Sequence, residues 1–384
     1  MKYFYGEFDG QEFPTPDKLF AFDSVLQFIM QHGDRAMKAL EQMMNNPDKD
    51  EQSELLEQLL KDGILDKDGK GRLRLTPRAI GRMQQKALME VFSHLRDGRR
   101  EGHEKTTSGP SGERGDSTKP YEFGDPVSEL DLHRTLTNAL TRHGLPESGG
   151  AIHFDEKDFE LHLPEGTTSC STVVLLDMSG SMMRYGRFLA AKQVAMAMQA
   201  LVRGRFAQDT IDFVGFYSGA VQIPEVMLPL ASPKPVTVMD YQVRLRVPIN
   251  QLNQAPQHFT NLHMGLQMAR RLLRRRNGEN KQVFIITDGQ PTAHVEGDFV
   301  YLLYPPDERS TVATLKEAVL CARQGYRIST FALIEDYWGM EWVGFVNQMT
   351  KLTKGVAFYT NSGELGSCIM ESYLSGRKKK SYIS

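Results

Sequence analysis

Short apolar runs alternate with amphipathic segments in the second half of the chain. The runs are near-continuous, which predicts strands buried on both faces of a parallel sheet. These candidate strands are Thr172–Leu176, Ile211–Phe216, Val283–Thr287, Arg327–Ile334 and Val356–Tyr359. Apolar positions at helical spacing predict the intervening helices, which are Phe188–Val202, Leu262–Arg275, Val312–Arg323, Glu341–Lys351 and Leu365–Leu374. Strand and helix in turn predict an α/β fold, a Rossmann-like, doubly wound, mostly parallel sheet.

The first part of the chain, residues 1–96, has a helical pattern. Apolar-rich segments of helical length occupy Leu19–Met30 and Arg35–Met44. A later segment opens with Thr76, a predicted helix N-cap, and Pro77, which suits the first helical position. A short hairpin precedes that segment, so helix, hairpin and helix follow one another as in part of a winged-helix module. We therefore predict a helical region with a winged-helix-like segment before the α/β domain.

The stretch between these two parts is polar at first and becomes patterned later. Residues 97–125 are rich in Gly, Ser and charge and are predicted to be a flexible linker, because they have too little apolar surface to bury. A helix over Val127–His143 and a strand around Phe159–Leu163 are predicted next. The predicted division is a helical region at 1–96, a linker at 97–125, a connecting segment at 126–167, the α/β domain at 168–376 and a basic tail at 377–384.

Composition narrows the class of protein. The chain has 384 residues and a net charge of −2, so no global charge bias indicates nucleic acid or an acidic membrane as partner. No apolar run approaches the roughly 20 residues of a membrane helix. The N-terminal MKYFYGEFDG lacks the apolar core of a secretory signal. Cys170, Cys321 and Cys368 are widely spaced and show no metal-binding or redox pairing. We expect a cytoplasmic protein.

Five residues with oxygen side chains form the candidate site, and they are predicted to bind a metal ion. They are Asp177, Ser179 and Ser181 in LLDMSGSM, Thr260 in FTNLHMGL and Asp288 in IITDGQPT. Two carboxylates and three hydroxyls suit a hard cation, Mg²⁺ first, with Mn²⁺ or Ca²⁺ as alternatives. Asp177 and Asp288 are 288 − 177 = 111 positions apart. A Rossmann-like strand order nevertheless places their two strand ends side by side, where such sheets bind ligands.

The predicted donor set is incomplete for Mg²⁺, and this indicates that the metal also binds a group from outside the chain. Mg²⁺ prefers six oxygen ligands. Three direct protein ligands leave positions for water and one external group, for which Asp or Glu of another protein is the natural occupant. The sequence thus predicts a coordination clasp between two protein surfaces.

The constellation resembles the metal-ion-dependent adhesion site of von Willebrand factor A (vWA) domains. The chain has D-x-S-x-S at Asp177, T-x-x-x-x-G from Thr260 and T-D-G around Asp288, in that order. The resemblance implies a six-stranded sheet with one antiparallel edge strand. It also implies that Ser179, Ser181 and Thr260 bind the metal, with Asp177 and Asp288 binding directly or through water. QHF precedes Thr260 where many members have a Gly-Gly pair, so the chain departs from the family pattern at this position.

A looser resemblance concerns the partner. LTPRAIGRMQQKALMEVFSHL, KPYEFGDP and LDLHRTLTNAL are similar to segments of bacterial intracellular vWA proteins. Related proteins work beside MoxR-type AAA+ ATPases or resemble the D subunit of magnesium chelatase. This analogy implies a MoxR-type ATPase as partner, and the chain itself has no G-x-x-x-x-G-K-[ST] phosphate loop.

Two other functions remain open at the level of sequence. Lys and Arg around 72–100 allow nucleic-acid binding by the helical region, although no aromatic stacking pattern accompanies them. A metal-dependent hydrolase would need a nucleophile or base near the metal, and the candidates are Glu225, Asp240 and His294. The favoured prediction is a non-enzymatic interaction protein.

Overall fold

The structure is a computed structural model that describes residues 16–44, 56, 58–69, 71–97, 118–121, 130–144, 154–162, 169–206, 208–334 and 340–375. The chain forms two compact units, one made of Met1–Glu101 with Ser169–Ser384 and the other of Gly102–Thr168. The predicted basic tail, 377–384, and most of the predicted linker lie outside the described residues. None of the helices in the described ranges is long and apolar enough to cross a membrane.

Both units contain strands and α-helices, which are numbered in chain order. The strands are β1 Leu65–Lys67, β2 Leu73–Leu75, β3 Thr118–Pro120, β4 Glu160–His162, β5 Cys170–Asp177, β6 Thr210–Phe216, β7 Ala220–Ile223, β8 Val243–Pro248, β9 Asn280–Thr287, β10 Ala293–Glu296, β11 Phe299–Tyr304, β12 Arg327–Leu333 and β13 Val356–Thr360. The α-helices are α1 Pro16–His32, α2 Asp34–Met44, α3 Pro77–Asp97, α4 Leu132–His143, α5 Arg187–Arg205, α6 Leu262–Arg274, α7 Glu308–Arg323, α8 Met340–Thr353 and α9 Leu365–Ser375.

A six-stranded sheet is the centre of the first unit. Its order is β13-β12-β9-β5-β6-β7, and every pairing is parallel except that of β6 with β7. All five strands predicted from the apolar runs belong to it, so the predicted α/β fold class is confirmed. The antiparallel edge strand implied by the vWA resemblance is β7.

Both faces of the sheet are covered, which explains why the strands lack alternation. Val174 and Leu176 of β5 pack with α5, α9 and the N-terminal helices. Val173 and Leu175 face the other way and pack with α6, α7 and α8. A strand covered on both sides must be apolar at every position, and residues 173–176 are all 0% exposed.

The predicted N-terminal helical region is confirmed, and it packs against α5. Thr76 Oγ1 accepts a hydrogen bond from the Ala79 amide at 3.2 Å, as expected of the N-cap of α3. Met83 and Ala87 of α3 share one buried cluster with Val194 and Met198 of α5. The apolar stripe of α3 is therefore covered by the α/β domain, and the two parts predicted separately form one unit.

A second, three-stranded antiparallel sheet, in the order β10-β11-β8, was not predicted from the sequence. Its strands are partly exposed, and β8 has the sequence VRLRVP, in which arginines interrupt the apolar positions. Val300 and Leu302 of β11 pack with Val243, Leu252 and Phe259 in a separate small cluster. No continuous apolar run marks this sheet, because polar residues interrupt the apolar positions of β8 and β10.

The second unit contains α4 and the antiparallel pair β3 and β4. The helix begins at Leu132 because the Asp131 side chain accepts from the amides of His133 and Arg134, each at 3.0 Å. The predicted start at Val127 lies outside the described residues. Strand β3 lies within 97–125, where the sequence pattern indicated no element. Strand β3 pairs with β4, and this pairing gives its backbone hydrogen-bond partners. The polar sequence of β3 alone does not indicate a strand.

Candidate metal centre

Asp177 and Asp288 lie at neighbouring strand ends. Asp177 is the last residue of β5, and Asp288 follows β9 directly. The two strands are parallel neighbours in register, with Leu176 opposite Ile286. The carboxyl ends of parallel neighbours meet at one edge of a sheet, so the large separation along the chain is bridged by the strand order, as the sequence predicted.

Hydrogen bonds join four of the five predicted residues in a continuous network. Ser181 Oγ donates to Asp288 Oδ1 at 2.7 Å, and Ser179 Oγ lies 3.1 Å from Ser181 Oγ. The Ser179 amide donates to Asp177 Oδ1 at 2.8 Å. Asp177 is 0% exposed, whereas Ser181 is exposed. The network therefore runs from a buried carboxylate to an open edge.

Thr260 belongs to the same edge of the sheet through its backbone. Its amide donates to Thr292 Oγ1 at 2.8 Å, and its carbonyl accepts from the Thr292 amide at 3.0 Å. Two residues earlier, the His258 carbonyl accepts from the Gly180 amide at 3.0 Å. Within the described residues no hydrogen bond links Thr260 Oγ1 to the other four side chains, so its role as a ligand stays a prediction.

Gly180 lets the Thr260 loop approach the serine turn. A Cβ at this position would lie 2.5 Å from Val236 Cγ2 and 3.2 Å from His258 Cβ. Only glycine therefore fits the close approach of these side chains without a shift of the neighbouring atoms. The QHF lead-in is accommodated here, with His258 stacked on Phe259 at 4.6 Å.

Adding a methyl group at Gly180 is expected to destabilise the protein. We expect Gly180→Ala to lower the free energy of unfolding by about 1–3 kcal/mol, the range for overpacking a filled site. Gly289→Ala is the matched control, because a Cβ at Gly289 would meet no atom within 4 Å. Urea denaturation measures both, and equal effects of the two substitutions would contradict the crowding at Gly180.

Two residues that the sequence reasoning missed complete the site. Thr287 Oγ1 donates to Asp177 Oδ2 at 2.5 Å. Arg187 Nη1 donates to Asp288 Oδ2 at 2.8 Å, and the two side chains are 9% and 0% exposed. Thr287 was signalled by its place in T-D-G, directly before Asp288. Arg187 is the first residue of α5 and directly precedes the helix predicted from Phe188.

The electrostatics of the site favour a positive charge. Burial, and secondly the neighbouring Asp288 carboxylate, raise the pKa of Asp177 to about 7, although hydrogen bonds from Ser179 and Thr287 act in the opposite direction. Two carboxylates held in a buried site repel each other, and a cation between them relieves the repulsion. The Arg187 guanidinium supplies one positive charge, which lies against the Asp288 carboxylate.

The donor set fits a hard cation. Across the described ranges, no group of three or more His, Cys, Asp or Glu side chains is placed to hold a metal ion, so any metal at this edge must also use hydroxyl oxygens. Carboxylate and hydroxyl oxygens are the ligands of Mg²⁺ rather than of a soft metal. The network above already places such oxygens within hydrogen-bonding distance of one another.

Two of the residues considered for catalysis, Glu225 and His294, are engaged elsewhere, and so is His263, which lies close to Thr260 in the chain. Glu225 pairs with Arg203. His294 Nδ1 lies 2.9 Å from Ser310 Oγ, and its ring stacks on Tyr301 at 5.2 Å. His263 Nδ1 accepts from the Val295 amide at 3.0 Å. His263 and His294 are therefore used in packing and local hydrogen bonds.

The sheet order, with the D-x-S-x-S turn and Asp288 at adjoining strand ends, defines a vWA domain. The family model described as the Rv0959-like protein, vWA domain, matches residues 170–374, more than half of the chain. The chain therefore belongs to the Rv0959-like vWA family. A second model, the third domain of Rv0959-like proteins, matches residues 113–163, which lie within the smaller unit.

Similar proteins occur in mycobacteria. The uncharacterized proteins Rv0959 of Mycobacterium tuberculosis and Mb0984 of Mycobacterium bovis are each 30% identical over 334 residues, covering 85% of this chain and 45% of the relative. The chain thus spans about half the length of the curated relatives it matches. Among solved structures, it is similar to the vWF domain of the type V pili tip protein Mfa5 from Porphyromonas gingivalis, at 14% identity over 56% of this chain and 97% of that chain, with a TM-score of 0.39. It is also similar to the PilB minor pilin from Streptococcus sanguinis, at 12% identity, 57% and 64% coverage and a TM-score of 0.43.

Proposed function

We propose that this protein is a non-enzymatic interaction module that binds an acidic residue of a partner protein through Mg²⁺. Asp177, Ser179, Ser181, Thr260 and Asp288 would hold the ion, with Mn²⁺ or Ca²⁺ as alternatives. The observation that carries the proposal is the hydrogen-bonded network of carboxylates and hydroxyls at adjoining strand ends. Domains of the vWA class are commonly protein-interaction modules, which agrees with this role.

The roles of the five residues follow from their burial and charge. The two carboxylates supply most of the attraction for a divalent ion, because the hydroxyls are neutral. Ser181 is exposed to solvent, whereas Ser179 is only 1% exposed. A metal bound there would keep an open coordination position on the solvent side, where the carboxylate of another protein has access.

The proposed partner class is a MoxR-type AAA+ ATPase. The chain has no phosphate loop of its own, so ATP hydrolysis would be a property of the partner. The packing of α3 against α5 supports a coupled arrangement, because a partner on the N-terminal helices would contact the same compact unit that contains the site. The cytoplasmic location predicted from the sequence is part of this proposal and is tested by cell fractionation.

Replacing Asp177 is expected to remove metal binding without removing the fold. Titration calorimetry of the chelator-treated full chain with MgCl₂ and MnCl₂ should show binding that Asp177→Asn weakens at least about a hundredfold, since one of two charges is lost next to the ion. Asp212→Asn is the matched control. Asp212 is also buried, but it lies in the body of β6 and pairs with Arg276 at 2.7 Å.

The interaction itself is tested with a purified MoxR-type ATPase. Capture of the ATPase on the immobilised full chain should require Mg²⁺, should be lost with EDTA and should be lost in Asp177→Asn. Capture that is unchanged by both treatments would refute the metal clasp. Metal binding without capture would leave the clasp in place and reject this partner class.

Nucleic-acid binding receives less support from the helical region. Arg72 and Arg74 of the hairpin both pair with the Asp68 carboxylate, at 3.0 and 3.3 Å. Their charges are thus partly neutralised within the hairpin that would serve as a wing. We retain protein binding as the proposed function.

A further inference from the structure

Arg187 is a positive side chain built into the candidate metal centre. Its Nη1 donates to Asp288 Oδ2 at 2.8 Å, and its side chain is only 9% exposed. The guanidinium carbon lies 5.0 Å from the centroid of the Tyr185 ring. Tyr185 itself is 61% exposed. The guanidinium is therefore held between a buried carboxylate and an aromatic ring that lies towards solvent.

This arrangement changes the charge that a metal ion would meet. Asp177 and Asp288 carry a formal charge of −2, and Arg187 brings the sum to −1. A divalent ion raises the sum to +1, and a carboxylate from a partner returns it to zero. Without Arg187 the ion alone would neutralise the site, and the partner's carboxylate would add an uncompensated negative charge.

We propose that Arg187 weakens cation binding in the free protein and couples it to the arrival of an acidic partner group. The inference rests on the proposed function and concerns how the same site is regulated. Arg187 competes with the ion for Asp288, because both positive charges lie against one carboxylate and repel each other. An incoming carboxylate offsets that repulsion, so the metal and the acidic group bind together rather than in sequence.

Arg187 acts here as a positioning residue, and its pairing partners fit that role. Ser181 Oγ donates to the other carboxylate oxygen of Asp288, Oδ1, at 2.7 Å. The hydrogen bond from Arg187 to Oδ2 therefore fixes the rotation of the carboxylate and points Oδ1 towards Ser181. The Tyr185 ring favours the cationic guanidinium over its face. Both contacts keep the guanidinium at the site while it is paired with Asp288.

The test compares metal binding in the free full-length protein and two variants. We expect Arg187→Gln to bind Mn²⁺ and Mg²⁺ about ten- to one-hundredfold more tightly than the wild type, by titration calorimetry after chelator treatment. Arg187→Lys keeps the charge and should stay close to the wild type. Arg184→Gln is the matched control, because Arg184 is exposed and lies three residues earlier in the same turn. Its loss should change affinity less than about twofold.

Coupling is measured with a defined acidic probe. An acetylated and amidated Gly-Glu-Gly peptide should tighten Mn²⁺ binding to the wild type, relative to the Gly-Gln-Gly peptide at equal ionic strength. The same comparison should show a smaller effect in Arg187→Gln. Thermal melting of every variant in EDTA and in Mn²⁺ confirms that the measured chains are folded.

The outcomes separate this inference from the proposed function. Wild-type binding that Arg187→Gln leaves unchanged or weakens would overturn the inference and leave the metal site intact. Folded protein that binds no divalent ion in either form would refute the proposed function and the inference with it. Tighter binding in Arg187→Gln that persists when Asp177→Asn is added would place the ion elsewhere and would also overturn the inference.

Discussion

Asp288→Asn is expected to lower the free energy of unfolding of the chelator-treated protein by about 3 kcal/mol, the scale for breaking a buried ion pair. The Asp288 carboxylate is the charged partner of Arg187, and their side chains are 0% and 9% exposed. An amide in its place still accepts one hydrogen bond but no longer neutralises the guanidinium. The variant therefore leaves a buried charge with weaker compensation.

Asp177→Asn is expected to leave that free energy unchanged or to raise it, although Asp177 is equally buried. The pKa of Asp177 is raised to about 7 by burial and by Asp288, so its negative charge opposes folding in the metal-free protein. An Asn amide can keep both local hydrogen bonds, since its oxygen accepts from the Ser179 amide. Its nitrogen can donate to Thr287 Oγ1, whose hydroxyl lies 3.4 Å from the Gly289 carbonyl and can donate there instead.

Urea denaturation in EDTA at neutral pH measures both substitutions. Arg187→Gln combined with Asp288→Asn serves as the control, because removing both charges should recover part of the loss seen for Asp288→Asn alone. Equal destabilisation by Asp177→Asn and Asp288→Asn would contradict the ion pair between Arg187 and Asp288. A stable Asp177→Asn protein would also establish it as a folded variant for the metal-binding experiment.

The position of the two carboxylates was predictable because it depends on topology. Apolar runs revealed β5 and β9, and the rule for open α/β sheets placed their carboxyl ends together. Asp177 and Asp288 follow those runs directly. Strand order and burial thus determine this part of the site, and both can be inferred from hydrophobic pattern.

The part of the site that was missed depends on side-chain direction. Arg187 was adjacent to the predicted helix at Phe188, but nothing in its neighbours indicates that the guanidinium turns back towards Asp288. That direction depends on the turn before it, where Tyr185 and Gly186 have positive φ values of 54° and 68°. Such left-handed conformations are local and irregular, and periodicity does not predict them.

The association of the N-terminal helices with the α/β domain could not be predicted for another reason. The apolar stripe on α3, with Met83 and Ala87, indicates that another element packs against it but does not identify that element. Val194 and Met198 of α5 pack against it. Helix α5 is apolar nearly all round, which is typical of a helix buried on both sides. The sequence reasoning used only one of its faces.

His263 is expected to make the protein sensitive to acid. It is 8% exposed, and its Nδ1 accepts a hydrogen bond from the Val295 amide at 3.0 Å. Only the neutral ring can accept this bond. Burial, and secondly the nearby His294, lower the pKa of His263 from 6.5 to about 4. Between these two values the unfolded chain binds a proton that the folded protein does not, so stability falls as pH falls through this window.

We expect this group to remove about 3 kcal/mol of stability between pH 6.5 and pH 4, the loss being complete below the folded pKa. His263→Asn should reduce that pH dependence, because an Asn oxygen can accept from the Val295 amide without titrating. His133→Asn replaces an exposed histidine and should preserve the wild-type slope. Urea midpoints taken from pH 7 to pH 4 give the comparison. If the urea midpoint of His263→Asn depends on pH as steeply as that of the wild type, another group controls the acid response. Removing His263 must make this dependence shallower if His263 is the group that takes up the proton.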